Sequence, residues 1–147
     1  MNIDPKPAIS AAITFWLFST ILGVALFFTW QFFIPNYTQL YVGLAFRPFE
    51  DPLTLGLYFV PLAEGIIYAV FYGALKKIIP CNTAFQRGST YGLFLFLVSS
   101  FPFLLLNYFL FSIPALLVAA WGIEMVFRQY FGCGAMAVIY ERAKLEY

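Results

Sequence analysis

Residues 8–34 read AISAAITFWLFSTILGVALFFTWQFFI, broken only by hydroxyl side chains and Gln31, and no charge falls between Lys6 and Arg47. An α-helix rises about 1.5 Å per residue and needs about 20 apolar residues to cross the hydrocarbon core of a bilayer. The stretch therefore predicts a first membrane-spanning helix, closed by Pro35 and Asn36. It is too long for the apolar region of a removable signal peptide. The same reading repeats along the chain. Residues 53–75 are apolar apart from Thr54 and Glu64 and end at Lys76-Lys77. The charge-free run between Arg87 and Glu124 is too long for one crossing and divides at Pro114, giving helices over 91–111 and 115–140. One domain of four spans is expected, an all-α integral membrane four-helix bundle, with an outer loop over 35–52 and a loop over 76–90 on the other side.

Composition agrees with this solvent. The chain has 147 residues, 63% hydrophobic, 22% aromatic and 10% charged, with a mean hydropathy of +0.85. Soluble domains carry about a quarter charged residues. A net charge of +1 excludes the basic footprint of a nucleic-acid binder. Sorting the basic residues sets the orientation: Lys6, Lys76, Lys77, Arg87, Arg142 and Lys144 fall on one side and Arg47 alone on the other. The positive-inside rule then puts both termini in the cytoplasm of a cell such as a bacterium, in its inner membrane. Trp30, Phe32, Phe33, Tyr37 and Tyr41 are expected at the outer interface, and Tyr91 and Tyr140 at the inner one. The apolar 36–52 loop predicts a short helix or turn lying along the membrane.

Absences narrow the chemistry. The chain has no His, and its two cysteines, Cys81 and Cys133, are far apart. No metal site, haem ligand or usual general base can be assembled, so neither a cofactor nor enzymatic activity is expected. Gly132-Cys133-Gly134 lies in a span and lacks the Lys and Ser/Thr of a nucleotide loop.

Three ionisable residues fall near mid-bilayer: Glu64 in the second span, and Glu124 and Arg128 in the fourth. A charge facing lipid there costs about 2.5 kcal/mol or more, which sends all three inward or onto a partner. Glu124 and Arg128 are spaced i,i+4 and share a helix face, and spans two and four run in the same direction. A Glu64, Arg128, Glu124 cluster follows, formally −1 unless one carboxyl holds a proton. It reads as a structural clasp, as a proton or cationic-solute site at Glu64, or as a set of charges paired with another subunit. Thr20, Ser99, Ser100, Asn107 and Gln129 extend it into a polar seam. Pro61 and Pro102 fall inside spans and predict kinks. Gly65, Ala69 and Gly73 form a stripe at four-residue spacing that lets helices approach closely.

Phe46-Arg47-Pro48, Tyr91-Gly92-Leu93, Asn107-Tyr108, Pro114 and Glu124 together resemble a loosely defined group of small bacterial four-span membrane proteins. The resemblance implies a compact four-helix bundle and brings no activity with it. The small multidrug exporters are similar in span count but carry their essential Glu in the first helix, where this chain has no acidic residue. The reading is of a non-enzymatic protein acting by association in the lipid bilayer, as a structural or assembly subunit beside a membrane-protein partner or as a homo-oligomer. The alternative is a small proton-coupled carrier of a hydrophobic or cationic solute working through Glu64.

Overall fold

The computed structural model describes residues 5–42, 56, 59–111 and 113–145. Every regular element among them is helical: α1 (Pro5–Phe33), α2 (Tyr37–Val42), α3 (Val60–Leu75), α4 (Ala84–Leu95), a π-helical turn (Phe96–Ser100), α5 (Phe101–Leu110) and α6 (Ala115–Leu145). Two continuous helices, Pro5–Phe33 and Ala84–Leu110, are long and apolar enough to cross a membrane, and α3 is a shorter apolar helix. The elements of the 35–52 loop beyond Val42, Arg47 and Phe46-Arg47-Pro48 among them, lie outside the described residues, as do most positions of 53–58.

Local chemistry sets the helix ends. Pro5 opens α1, where a missing N–H costs nothing, and Pro35 closes it. Asn36 then takes a left-handed conformation, φ 61°, which Asn tolerates better than most side chains, and the chain turns into α2. α4 begins at Ala84, earlier than the expected Tyr91, because Thr83 and Gln86 form a capping box. The Thr83 hydroxyl accepts from the Gln86 N–H at 3.2 Å, and the Gln86 amide oxygen accepts from the Thr83 N–H at 3.4 Å. Two otherwise orphaned donors are satisfied reciprocally.

The prolines act differently from expectation. Pro61 lies in the first turn of α3, where no intrahelical partner is lost, so it starts the helix and does not kink it. Pro102 does perturb its helix. Lacking an N–H, it leaves the Val98 carbonyl without its usual donor, and the turn before it widens so that the Phe101 N–H reaches Phe96 O, five residues back. A π-turn of this kind inserts one residue into the helical register.

α6 is the central element, packed by α1 and by α4, and α3 lies against α1 and reaches α6. α1 and α6 run antiparallel: Gly23 lies beside the Glu124 carboxylate, while Gly132 meets Phe15 and Ser19. The interior has three storeys along these two helices. Ala8, Ala11 and Phe15 of α1 join Ala69, Tyr72, Tyr91, Cys133, Met136, Ala137 and Tyr140 in one apolar cluster. Ile34, Tyr37, Ile113, Leu117 and Ala120 form another at the opposite end. The polar residues lie between. Tyr91, Tyr140 and Tyr37, expected to face an interface, have their side chains buried in the bundle: Tyr72 packs on Tyr91 and Tyr140 at ring distances of 5.7 Å, and Tyr37 packs against Phe27. Phe32 and Phe33 remain exposed.

Small residues bring the backbones together. Gly65 has no room for a side chain: a Cβ would stand 2.8 Å from Ala12 O. Ala69 is fully buried, and Gly73 accommodates the Tyr140 hydroxyl. A second stripe, Gly88 and Gly92 on α4, lies directly on the α6 backbone at Cys133 and Gln129, with Gly134 receiving Phe85 and Ser89 in return. Gly88→Ala or Gly92→Ala must push the two helices apart and is expected to destabilise by about 1–3 kcal/mol. Gly122→Ala, which meets only Leu104 at an ordinary 3.5 Å, is expected to be near neutral. Thermal loss of helical circular dichroism in detergent reads the difference, and equal midpoints for the three variants would contradict this packing.

Candidate functional site

The middle storey of α6 carries Glu124, Met125, Arg128 and Gln129 within about one and a half turns. The flanking turns of α6 bury Leu117 and Ala120 on one side and Cys133, Met136 and Ala137 on the other, in the same rotation of the helix that turns this segment inward. Arg128 therefore enters the bundle. Its Nη2 donates to Glu64 Oε2 at 3.2 Å, and its Nη1 lies 3.9 Å from Glu124 Oε1. The side chains of Arg128 and Glu124 are largely enclosed, at 19% and 21% exposure, whereas Glu64 keeps 39%. Glu64 is thus the open member of a formally anionic group of three.

Gln129 links the walls of the site. Its amide Nε2 donates to Ser100 Oγ at 2.7 Å, on the π-turn, and to the Tyr68 hydroxyl at 3.2 Å, on α3. Tyr91 closes the same side by donating to the Tyr68 carbonyl at 3.2 Å. Between these elements lies a cavity of about 30 Å³ lined by Phe15, Glu64, Ser100, Met125, Arg128 and Gln129. That volume has room for water and is small beside the roughly 300–1,000 Å³ of an ordinary ligand pocket. Arg128 Nε, Gln129 Oε1, Ser19 Oγ and Thr20 Oγ1 are buried in or beside this storey without a hydrogen-bond partner among the described residues. The arrangement can hold and orient water, exchange a proton at Glu64, and pair with a cation.

Of the residues expected in a polar seam, the structure brings together Ser100 and Gln129, and leaves Thr20 half-buried with its hydroxyl oxygen enclosed. Ser99 is exposed. Asn107 donates to Phe103 O of its own helix at 2.7 Å and does not reach the seam. Neighbouring residues point about 100° apart on a helix, so Ser99 cannot share the face of Ser100.

A second constellation escapes sequence reading. At the end of the helices where α3 closes and α4 opens, Arg87 grips Glu141 with two nitrogens, at 3.1 and 2.6 Å, and reaches the Cys81 carbonyl with a third at 2.6 Å. Tyr72 donates to the same carboxylate at 2.7 Å, and Lys76 lies over the Tyr140 ring at 5.0 Å. The fork ties the α3–α4 connection to α6, and bidentate guanidinium–carboxylate pairs are among the stronger charged contacts. The capping box beside Arg87 was the available signal that this residue stands on a helix. Cys81 and Cys133 are free thiols, and no group of three potential metal ligands occurs among the described residues.

Burial pushes the Glu141 carboxyl upward, but the hydrogen bonds from Arg87 and Tyr72, with the Arg87 and Lys76 charges, outweigh it and hold the group below the usual carboxylate range. A carboxyl held low in the folded chain and released to about 4.3 on unfolding contributes stability that is full above that value. The contribution is lost as pH falls through the folded one. Unfolding midpoints in detergent are therefore expected to fall on acidification below about pH 4.3, and Glu141→Gln is expected to flatten that limb. An unchanged acid limb in the variant would contradict the fork. Comparison of the chain with protein-family models, with curated proteins and with solved structures returns no match.

Proposed function

We propose that this is a four-span integral membrane protein with both termini cytoplasmic, acting by association as a structural or assembly subunit or as a homo-oligomer. The observation that carries the reading is the state of α5. Phe101, Phe103, Leu105, Leu106, Tyr108, Phe109 and Leu110 are all exposed, and Leu104 alone is buried, whereas α4, in the same continuous helix, buries Gly88, Ser89, Tyr91 and Gly92. Half of one helix is sealed on α6 and the other half offers aromatic and aliphatic side chains outward.

The apolar outer surface supports membrane residence. Ile9, Ile21, Phe28, Phe32, Ile67, Phe71, Leu97 and Phe109 are exposed around the helices, far beyond the single apolar patch of a soluble monomer. Lys76, Lys77, Arg87 and Arg142 gather at one end, the end where Ala8 of α1 packs with Tyr72 and Tyr140, and this supports the cytoplasmic assignment. α3 spans only about 24 Å as a 16-residue helix. α6 is less apolar than α1 because its polar face is turned inward.

The carrier reading is favoured by one observation, the partial exposure of Glu64 beside a polar cavity. The size of that cavity supports passage of protons or water and argues against a bound organic solute, which leaves association as the better account. Native mass measurement after extraction in mild detergent tests it. The expected species is heavier than the 16.7 kDa of one chain, as an oligomer or with a defined partner. A strictly monomeric, partner-free chain would overturn the reading.

A further inference from the structure

The flank of α3 that carries Glu64 is apolar and uncovered. Val60, Ile67 and Phe71 stand at i−4, i+3 and i+7 from Glu64, on its side of the helix, and are 49%, 53% and 56% exposed. On the other side of the cavity the π-turn presents Ser100, and Phe103, 56% exposed, stands at i+3 from Ser100 on the same side of the helix. The floor is Met125, Arg128 and Gln129 of α6. The result is a cleft with apolar walls and an acidic base.

The charge in the cleft is uneven. Both terminal nitrogens of Arg128 face carboxylates, so one positive charge serves two negative ones, and the more open of the two is Glu64. Gln129 is 94% buried by its 6% exposure, and its Oε1, an acceptor, has no donor among the described residues. On the four-span reading, a charged group facing hydrocarbon at this depth is strongly disfavoured. What covers the cleft must therefore combine an apolar body with a cationic donor.

We propose that this cleft seats a transmembrane helix of a partner protein that carries one basic side chain at mid-depth, its ammonium or guanidinium on Glu64 and its apolar neighbours against Val60, Ile67, Phe71 and Phe103. The proposal rests on the association reading above and names its surface and the chemistry of the partner. A second copy of this chain does not fit, because Arg128 is the one basic residue in the apolar middle of the described helices and both its terminal nitrogens are engaged. A lipid amine does not fit either, because headgroups lie at the interface and the carboxylate lies in the middle storey.

The test uses the full chain, donor-labelled, in phosphatidylcholine vesicles, with acceptor-labelled leucine–alanine transmembrane peptides that differ only in one central residue, Lys, Leu or Glu. Polar contacts between membrane helices contribute about 1–2 kcal/mol in model peptides, so energy transfer should show the Lys peptide associating about tenfold more tightly than the Leu peptide. The Glu peptide should bind no better than Leu. Glu64→Gln should bring Lys down to the Leu level at unchanged helical circular dichroism, and Phe71→Ala should weaken both. Equal association of Lys and Leu peptides with the unmodified chain would overturn the proposal. So would a Lys preference that survives Glu64→Gln, or an aminophospholipid retained at one per chain that the Lys peptide does not displace. The two readings fail separately: an oligomeric native mass with no Lys preference overturns the cleft alone, and a partner-free monomer with the Lys preference intact overturns association alone.

Discussion

A guanidinium in the apolar middle of a helix must be paired, and Arg128 imposes that requirement on everything around it. Its two terminal nitrogens meet Glu64 from α3 and Glu124 from its own helix. Pairing of this kind fixes how α6 is rotated about its axis, because Glu124, Arg128 and Gln129 must all point inward. The rotation in turn sets which side of α6 receives Phe15 of α1 and which receives Gly88 and Gly92 of α4. A buried ion pair is weak evidence of net stability but strong evidence of a constraint, since removing one partner leaves a charge uncompensated.

The apolar storeys on either side do the complementary work. On the proposed membrane reading the lipid tails are as apolar as leucine, so helices gain from close packing more than from escaping solvent. This explains why the contacts between α1 and α3 and between α4 and α6 are built on Gly and Ala, with large rings filling what the small residues leave. Tyr72, Tyr91 and Tyr140 meet in one cluster, and two of their polar ends are accounted for by Glu141 and the Tyr68 carbonyl. At the end of the bundle, the Arg87–Glu141 fork closes the α3–α4 connection over that cluster. Among the described residues α5 has no equivalent, and the same chain that seals α4 so tightly leaves α5 exposed.

Much of the helical order was legible from charge spacing, because in so apolar a chain the few charges punctuate the helices. The contact between Arg128 and its two carboxylates was legible too, from i,i+4 spacing and the common direction of α3 and α6. Other features were hidden for identifiable reasons. Tyr91, Tyr140 and Tyr37 read as interfacial because an amphipathic ring suits both an interface and a core with a partner for its hydroxyl, and helical periodicity is faint where every face is apolar. Ser99 cannot share a helix face with its neighbour Ser100, and Asn107, which matches the Ser100 face by spacing, spends its amide on the Phe103 carbonyl of its own helix. Gly88-x-x-x-Gly92 and the Thr83–Gln86 box were plain in the sequence, yet the charge at Arg87 masked them by suggesting a loop.

The central claim is that the Arg128–Glu64 contact organises the helices, and a double-mutant cycle tests it most directly. Glu64→Gln, Arg128→Met and the double variant are unfolded in the same lipid–detergent mixture, with Glu124 left in place. The account predicts a coupling of about 1–3 kcal/mol, the double variant losing less than the sum of the singles. Additivity to within about 0.5 kcal/mol would contradict it, and Arg128 would then be held by α6 alone.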